Sequence, residues 1–234
     1  MLVLGIETST SQTTVALGTE QGILAGTQLS TGKSNHEVVV PNVRHLLQWT
    51  ETSLQSLAGI AVGLGPGLFT GMRVGIATAK TLAQVLGVPI IGMASLDVVA
   101  FSVRYSRRSI CAVIDAKRGE VFYAFYRPVP GGVTRETEFE VGPPGHLAAE
   151  LEARPEDVLL VGNGALVYRR QLEEAGNHVE FASAAYSFPV ATALVELAIP
   201  RLAREEFDRL YDLQPFYVRK SDAEIAWDDR RRAG

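Results

Sequence analysis

The stretch Ala61-Val62-Gly63-Leu64-Gly65-Pro66-Gly67-Leu68-Phe69-Thr70-Gly71-Met72-Arg73-Val74-Gly75 joins an apolar run to a long helical pattern. It limits the folds open to this chain. Gly63, Gly65 and Gly67 admit positive φ or the close approach of another backbone, and Pro66 fixes one φ, so the turn has a specified shape. The preceding run, Leu57 to Leu64, reads as a buried parallel strand, and Thr70 to Leu86 as a helix. Thr70 is placed to cap that helix, whose free N–H groups attract a phosphate or a partner's carboxylate. Glycines are equally needed for packing alone, and both readings stand. A Walker loop needs Gly-Lys-Ser/Thr where Thr70-Gly71-Met72 stands, and a dinucleotide fingerprint starting at Gly63 needs glycine at Leu68, so both templates fail.

Three short β-like runs precede this turn: Leu2 to Glu7, Thr13 to Leu17 and Gly22 to Leu29, an antiparallel meander. From Glu37 to Trp49 the period becomes helical, with Ser34 or Asn35 as cap. Val88 to Met93 and Ser95 to Ser102 add a strand and a short helix. The second half replays this order: strands at 110–115, 120–126 and 134–141, a helix near Leu147, and a strand at 158–161. After the turn Gly162-Asn163-Gly164 come a helix at 165–174, a strand at 179–181 and a helix from about Val190. The repeat implies an α/β protein of two lobes, residues 1–104 and 105–234, with the C-terminal helix packing back on the first. An interior proline costs about 3 kcal/mol, so a break or kink is expected between Ile199 and Arg201, at Pro200. The tail from Gln214 reads as extended and ends in Asp228-Asp229-Arg230-Arg231-Arg232, a charged terminus that reads as solvated or disordered and not as functional.

Composition excludes several classes. No apolar run reaches the ~18 residues of a membrane span, and Met1 to Gly5 lacks a basic leader, which predicts a soluble cytoplasmic protein with no membrane contact. Cys111 is the single cysteine, so neither an intrachain disulfide nor a cysteine cluster for zinc can form. A formal net charge of -4 argues against unaided nucleic-acid binding.

Three segments carry a family resemblance: Leu4-Gly5-Ile6-Glu7-Thr8-Ser9, Gly65-Pro66-Gly67-Leu68-Phe69-Thr70-Gly71-Met72-Arg73-Val74-Gly75, and Asp115-Ala116-Lys117-Arg118-Gly119-Glu120-Val121. Together they resemble the TsaB (YeaZ) family, closely to about residue 125 and more loosely through Gly162-Asn163-Gly164 to Pro215-Phe216-Tyr217-Val218-Arg219. The resemblance implies an actin-like (ribonuclease H-like) fold, each lobe a mixed five-stranded sheet with flanking helices. It implies a scaffold in threonylcarbamoyl modification of adenosine in ANN-decoding tRNAs: a homodimer when alone, a partner of the catalytic paralogue TsaD and the ATPase TsaE. tRNA is met only through the complex. No catalytic residue or metal ligand is assigned to this chain, and ATP and metal are expected in the partner subunits.

The paralogue carries His-x-x-x-His where this chain has Ser95-Leu96-Asp97-Val98-Val99, so Ser95 and Val99 stand at the ligand positions. That also undercuts a metallopeptidase reading. The four histidines, His36, His45, His146 and His178, offer no substitute pairing and read as surface or capping residues. Glu7, Thr8 and Ser9 are weak nucleotide-site candidates, since the hairpin lacks the family's phosphate-loop glycine; an ordinary polar hairpin explains them too. Asp115, Arg118 and Glu120 flank a turn at Gly119 where opposite charges can pair for under ~1 kcal/mol. The resemblance places this motif at the cleft, where Arg118 would orient the lobes or touch a partner.

For a partner surface the candidates are Gly65, Pro66, Gly67, Phe69, Thr70, Gly71, Arg73 and Gly75, with Val40, Val43 and Leu47 from the preceding helix. The 70–86 helix is apolar nearly all round, as buried or interface helices are, and Gly71, Gly75 and Ala79 at four-residue steps would allow close approach. A rival reading is a self-sufficient phosphotransferase or ATP hydrolase of the actin-like superfamily, with Glu7 or Asp115 handling metal-phosphate.

Overall fold

The computed structural model describes residues 1–30 and 35–219. The first sheet contains β1 (Leu2–Glu7), β2 (Thr13–Thr19), β3 (Gly22–Leu29), β4 (Leu57–Gly63) and β5 (Ile90–Met93). Their order is β3-β2-β1-β4-β5. Short turns make β1, β2 and β3 antiparallel neighbours, whereas β4 and β5 lie parallel because each is reached by a helical crossover. Those crossovers are α1 (Asn35–Trp49) and α2 (Phe69–Leu86).

The second sheet repeats the plan with β6 (Ser109–Lys117), β7 (Glu120–Val129), β8 (Gly132–Arg135), β10 (Val158–Val161) and β11 (Val179–Phe181). Its order, β8-β7-β6-β10-β11, matches the first sheet strand for strand. Both sheets are mixed, and the α/β class with duplicated lobes holds. The second sheet gains a sixth strand, β9 (Glu140–Gly142), on β7. One strand was expected over 134–141, but Phe125 N–H donates to Thr137 Oγ1 at 3.1 Å, a side chain replaces a backbone partner, and the run splits. The helices here are α4 (Pro144–Glu152), α5 (Asn163–Val167) and α6 (Arg169–Leu172), the last two replacing the single helix expected at 165–174.

Side-chain alternation along β1 fills two cores. Leu4 and Ile6 meet Val39, Leu46, Met72 and Ile76 under α1 and α2; Val3 faces the other way, towards Leu194, Val195 and Leu202 of α7 (Ala191–Ala203). Burial on both faces explains why β1 reads as an almost unbroken apolar run. The second lobe packs Val113, Phe125, Leu147 and Leu151 on one face and Ile110, Ala112 and Tyr126 on the other. The latter core is completed by Leu96 and Val99 of α3 (Ser95–Phe101), which leaves the first sheet to pack on the second. Val98 and Phe101 of the same helix pack with α7, so α3 is shared by the two lobes.

α7 does not break at Pro200: it continues to Ala203. The lost bond would have gone to the carbonyl of Glu196, and both residues are exposed, so the missing bond falls on the outer side of the helix and not in the core. The helix 35–49 starts at Asn35, while the alternative cap Ser34 lies outside the described residues, as does the charged end Asp228 to Arg232.

Candidate functional site

The glycine turn and the β1–β2 hairpin fill each other. Leu64 N–H donates to Met93 O at 2.8 Å, Ser95 N–H to Gly65 O at 2.6 Å, and Leu68 N–H to Ser9 O at 2.6 Å. The Gly65–Pro66 peptide is cis, and Gly65 has φ +86°. A Cβ on Gly63 would overlap the Glu7 carboxylate, and one on Gly67 would overlap the Ser9 carbonyl. These glycines are therefore demanded by the approach of β1 and its hairpin.

Glu7 is wholly buried. Ser9 N–H donates to its Oε1 at 2.7 Å and Ser95 Oγ to its Oε2 at 2.9 Å, while Ser95 Oγ accepts from Gly65 N–H at 3.2 Å. Desolvation by burial raises its pKa above the ordinary carboxylate value, and the bonds from Ser9 and Ser95 oppose that shift. Thr8 Oγ1 donates to Gly71 O at 2.7 Å, and a Cβ on Gly75 would overlap Thr8 Oγ1. So the stripe Gly71, Gly75, Ala79 faces inward and permits close approach to this chain's own β1. The sequence alone could not say which surface those small residues meet.

Helix α2 opens at Phe69, with Leu68 at the N-cap and no side-chain cap. Thr70 is inside the first turn and exposed, a correction to its expected capping role: the Leu68 N–H bond to Ser9 already fixes where the helix begins. Between the lobes lies an open cavity of about 360 Å³, bounded by residues 67–70, Met72, the hairpin 116–118, Phe122 and residues 216–219. Glu7, Thr8 and Ser9 do not line it. The glycine turn and the first turns of α2 pack directly against all three, through Gly63, Gly67 and Gly75.

Asp115 takes the topological place of Glu7 in the second lobe. Its Oδ1 accepts Lys117 N–H at 2.9 Å and its Oδ2 the Lys117 ammonium at 2.7 Å; its own N–H donates to Asn163 Oδ1 at 3.2 Å. The Tyr168 phenol, 3.5 Å from Asp115 Oδ1, is pushed up first by burial and then by this carboxylate. Lys117, Arg118 and Gly119 have φ of +62°, +58° and +81°, which turns the β6–β7 hairpin in two residues. Glu120 is joined to Arg219 at 2.7 Å. Lys117 and Arg219 thus bring positive charge to the cleft already matched by carboxylates of the same chain.

The partner-surface candidates divide. Val43 and Leu47 lie in the first-lobe core, because they share the inward face of α1 with Val39 and Leu46. Val40 is 59% exposed, as are Trp49 (69%) and Val85 (77%), the last two not singled out by sequence. Their signal was positional: Trp49 lies four residues after His45, on the face opposite the core, and the rings stack at 5.8 Å. Arg73 lies 3.8 Å over the Phe69 ring, and its Nε donates to Tyr217 Oη at 3.1 Å. Gly65, Pro66, Gly71 and Gly75 are buried. Ser95 bonds Glu7 and Val99 lies in the core, and among the described residues no three His, Cys, Asp or Glu side chains converge on one point. His45 and His146 are exposed, and the His178 ring bonds Leu151 O at the end of α4.

A family model described as "TsaD: tRNA N6-adenosine threonylcarbamoyltransferase" matches residues 30–227. The Bacillus subtilis "tRNA threonylcarbamoyladenosine biosynthesis protein TsaB" is 30% identical, over 97% of this chain and 98% of its own length. The solved structure "YeaZ from Pseudomonas aeruginosa" superposes with a TM-score of 0.80 at 27% identity, covering 92% of this chain and 99% of that one. A ROK hexokinase from Thermus thermophilus, 13% identical with a TM-score of 0.52 over 85% of this chain and all of its own, shares the two-lobed actin-like fold alone.

Proposed function

The chain belongs to the TsaB (YeaZ) family, and from that premise we propose that it is a non-catalytic subunit supporting threonylcarbamoyl modification of adenosine in ANN-decoding tRNAs. One observation carries the scaffold reading: Glu7, the carboxylate a metal-phosphate site would need at this hairpin, is sealed between Ser95 and the glycine turn, out of reach of the cleft. The glycine turn is then architectural. It seats α2 against β1, and leaves the outer faces of α1 and α2 to present Val40, Trp49 and Val85.

In this reading those faces form the surface used by a second copy of the chain when alone and by the catalytic paralogue TsaD in the working complex. Apolar side chains exposed on paired helices lose unfavourable contact with water when another chain covers them. ATP and metal enter with TsaD and the ATPase TsaE, and tRNA is met by the assembled complex. The test is to mix the purified chain with the paralogue and follow mass by light scattering. A heteromer should form, Val40→Asp with Val85→Asp should weaken it at least tenfold, and the chain alone should transfer no threonylcarbamoyl group. Robust transfer by the chain alone would overturn the reading.

The cavity between the lobes favours a second reading, an ATP hydrolase acting alone. Titration calorimetry with ATP and magnesium separates the two: a self-sufficient enzyme binds at micromolar to millimolar concentrations without the paralogue.

A further inference from the structure

After α7 the chain runs along the edge of the first sheet and across to the second lobe. Asp208 N–H donates to Ile90 O at 3.0 Å, and its carboxylate accepts Gly92 N–H at 2.8 Å, so this segment covers the outer edge of β5. Leu213 is buried in the first-lobe core, and its carbonyl accepts from Lys80 Nζ at 3.2 Å. Beyond it the attachments reach both lobes. Phe216 N–H donates to Leu64 O inside the glycine turn at 2.8 Å, while its ring meets Phe139 of the second lobe at 5.6 Å. The Tyr217 ring meets Phe69 of α2 at 5.1 Å, tilted by 33°; Val218 packs on the second-lobe core, and Arg219 reaches Glu120 on β7.

We propose that residues 206–219 form a clasp that sets the relative position of the two lobes, with Leu213 as its fixed end and Phe216 to Arg219 as a releasable latch. The division follows from burial. Leu213 cannot leave without opening a core, whereas Phe216 and Tyr217 are exposed over 40% and 47% of their surface and the Arg219–Glu120 pair is half-buried at the rim of the cleft, so these contacts can open without exposing a core. The latch also walls one side of the inter-lobe cavity, so its release widens that cavity. Through Tyr217 it grips Phe69 and Arg73 in the first two turns of α2, which ties lobe position to the start of that helix.

The test uses the full chain with spin labels on cysteines introduced at exposed Gln84 in α2 and Glu152 in α4, since native Cys111 is buried and stays unlabelled. Pulsed dipolar spectroscopy reads the distance between lobes, and amide hydrogen exchange reads the Phe216 N–H. In a Tyr217→Ala, Arg219→Ala variant the distance distribution should broaden and Phe216 exchange should quicken, with β1 and β6 amides protected as before. Tyr211→Ala, at an exposed position of the same segment, should change neither. Should the double variant loosen the cores, Glu120→Gln removes the ion pair from the second lobe's side and should give the same broadening in smaller measure. An unchanged distance distribution, with or without faster Phe216 exchange, overturns the clasp.

Discussion

A Cβ on Gly63 would stand 2.7 Å from Glu7 Oε1 and closer still to Oε2, so the two residues share one space at the end of neighbouring parallel strands. Gly63→Ala should therefore destabilise the chain by about 2 kcal/mol, the cost of overpacking a closed site. Glu7→Ala should also destabilise it, by leaving Ser9 N–H without its acceptor. The double variant should lose less than the sum. Urea unfolding of the four proteins measures this, and strict additivity would rule out the shared space as the cause.

The same carboxylate gives a pH dependence of defined sign. Burial raises the folded pKa of Glu7, so in the unfolded chain the group releases its proton first, near the ordinary carboxylate value of 4.5. Stability from this group is full below that value, falls as pH rises through the interval up to the raised folded pKa, and is level above it. Glu7→Gln should flatten that part of the profile. Urea midpoints of parent and variant, from about pH 4 to about pH 8, should converge at the acid end; parallel profiles would contradict the assignment.

Gly75 and Val85 lie on one helix and should behave oppositely. Gly75→Ala forces Thr8 aside and should lower the unfolding midpoint of the isolated chain. Val85→Asp, on the exposed face, should leave stability within about 0.5 kcal/mol while weakening self-association followed by light scattering.

Arg118 sits at φ +58°, where a side chain of any kind is strained and glycine is not. Arg118→Gly relieves a strain that Arg118→Ala keeps, so in urea unfolding the glycine variant should be the more stable of the two by up to about 1 kcal/mol. If Arg118→Ala stays folded and fails to support modification in the mixed complex, recognition and not folding is responsible. Full support would remove Arg118 from the partner surface.

Burial pushes the Cys111 thiol well above its ordinary pKa. Its reaction with a disulfide reagent should follow global unfolding, slow in water and rising with urea, and fast labelling of the native chain would contradict the placement.

Much of the fold was legible because it rests on local pattern. The change of period after Leu29, the glycine turn, and the element order of each half come through periodicity and turn chemistry. What escaped was set by contacts between distant residues. Helix propensity rules mark Pro200 as a breaker, but they do not know that Pro200 and Glu196 both lie on the exposed side of the helix. Val43 and Leu47 share a helical stripe with Val39, and only the packed sheet shows that this stripe is core while Val40 and Trp49 look outward. The candidate site divides in the same way. Glu7, Thr8 and Ser9 were visible as a polar hairpin, yet their seal depends on Ser95, eighty-eight residues on.

β3 closes the first sheet on one side, and none of Gly22 to Leu29 is lysine or proline, the residues that usually blunt such an edge. Ile23 and Leu24 are 43% and 50% exposed there. A row of backbone donors and acceptors flanked by apolar side chains is a template for another extended strand. Held concentrated without its partners, the chain should aggregate from this rim, and a lysine at Leu24 should lengthen its life in solution.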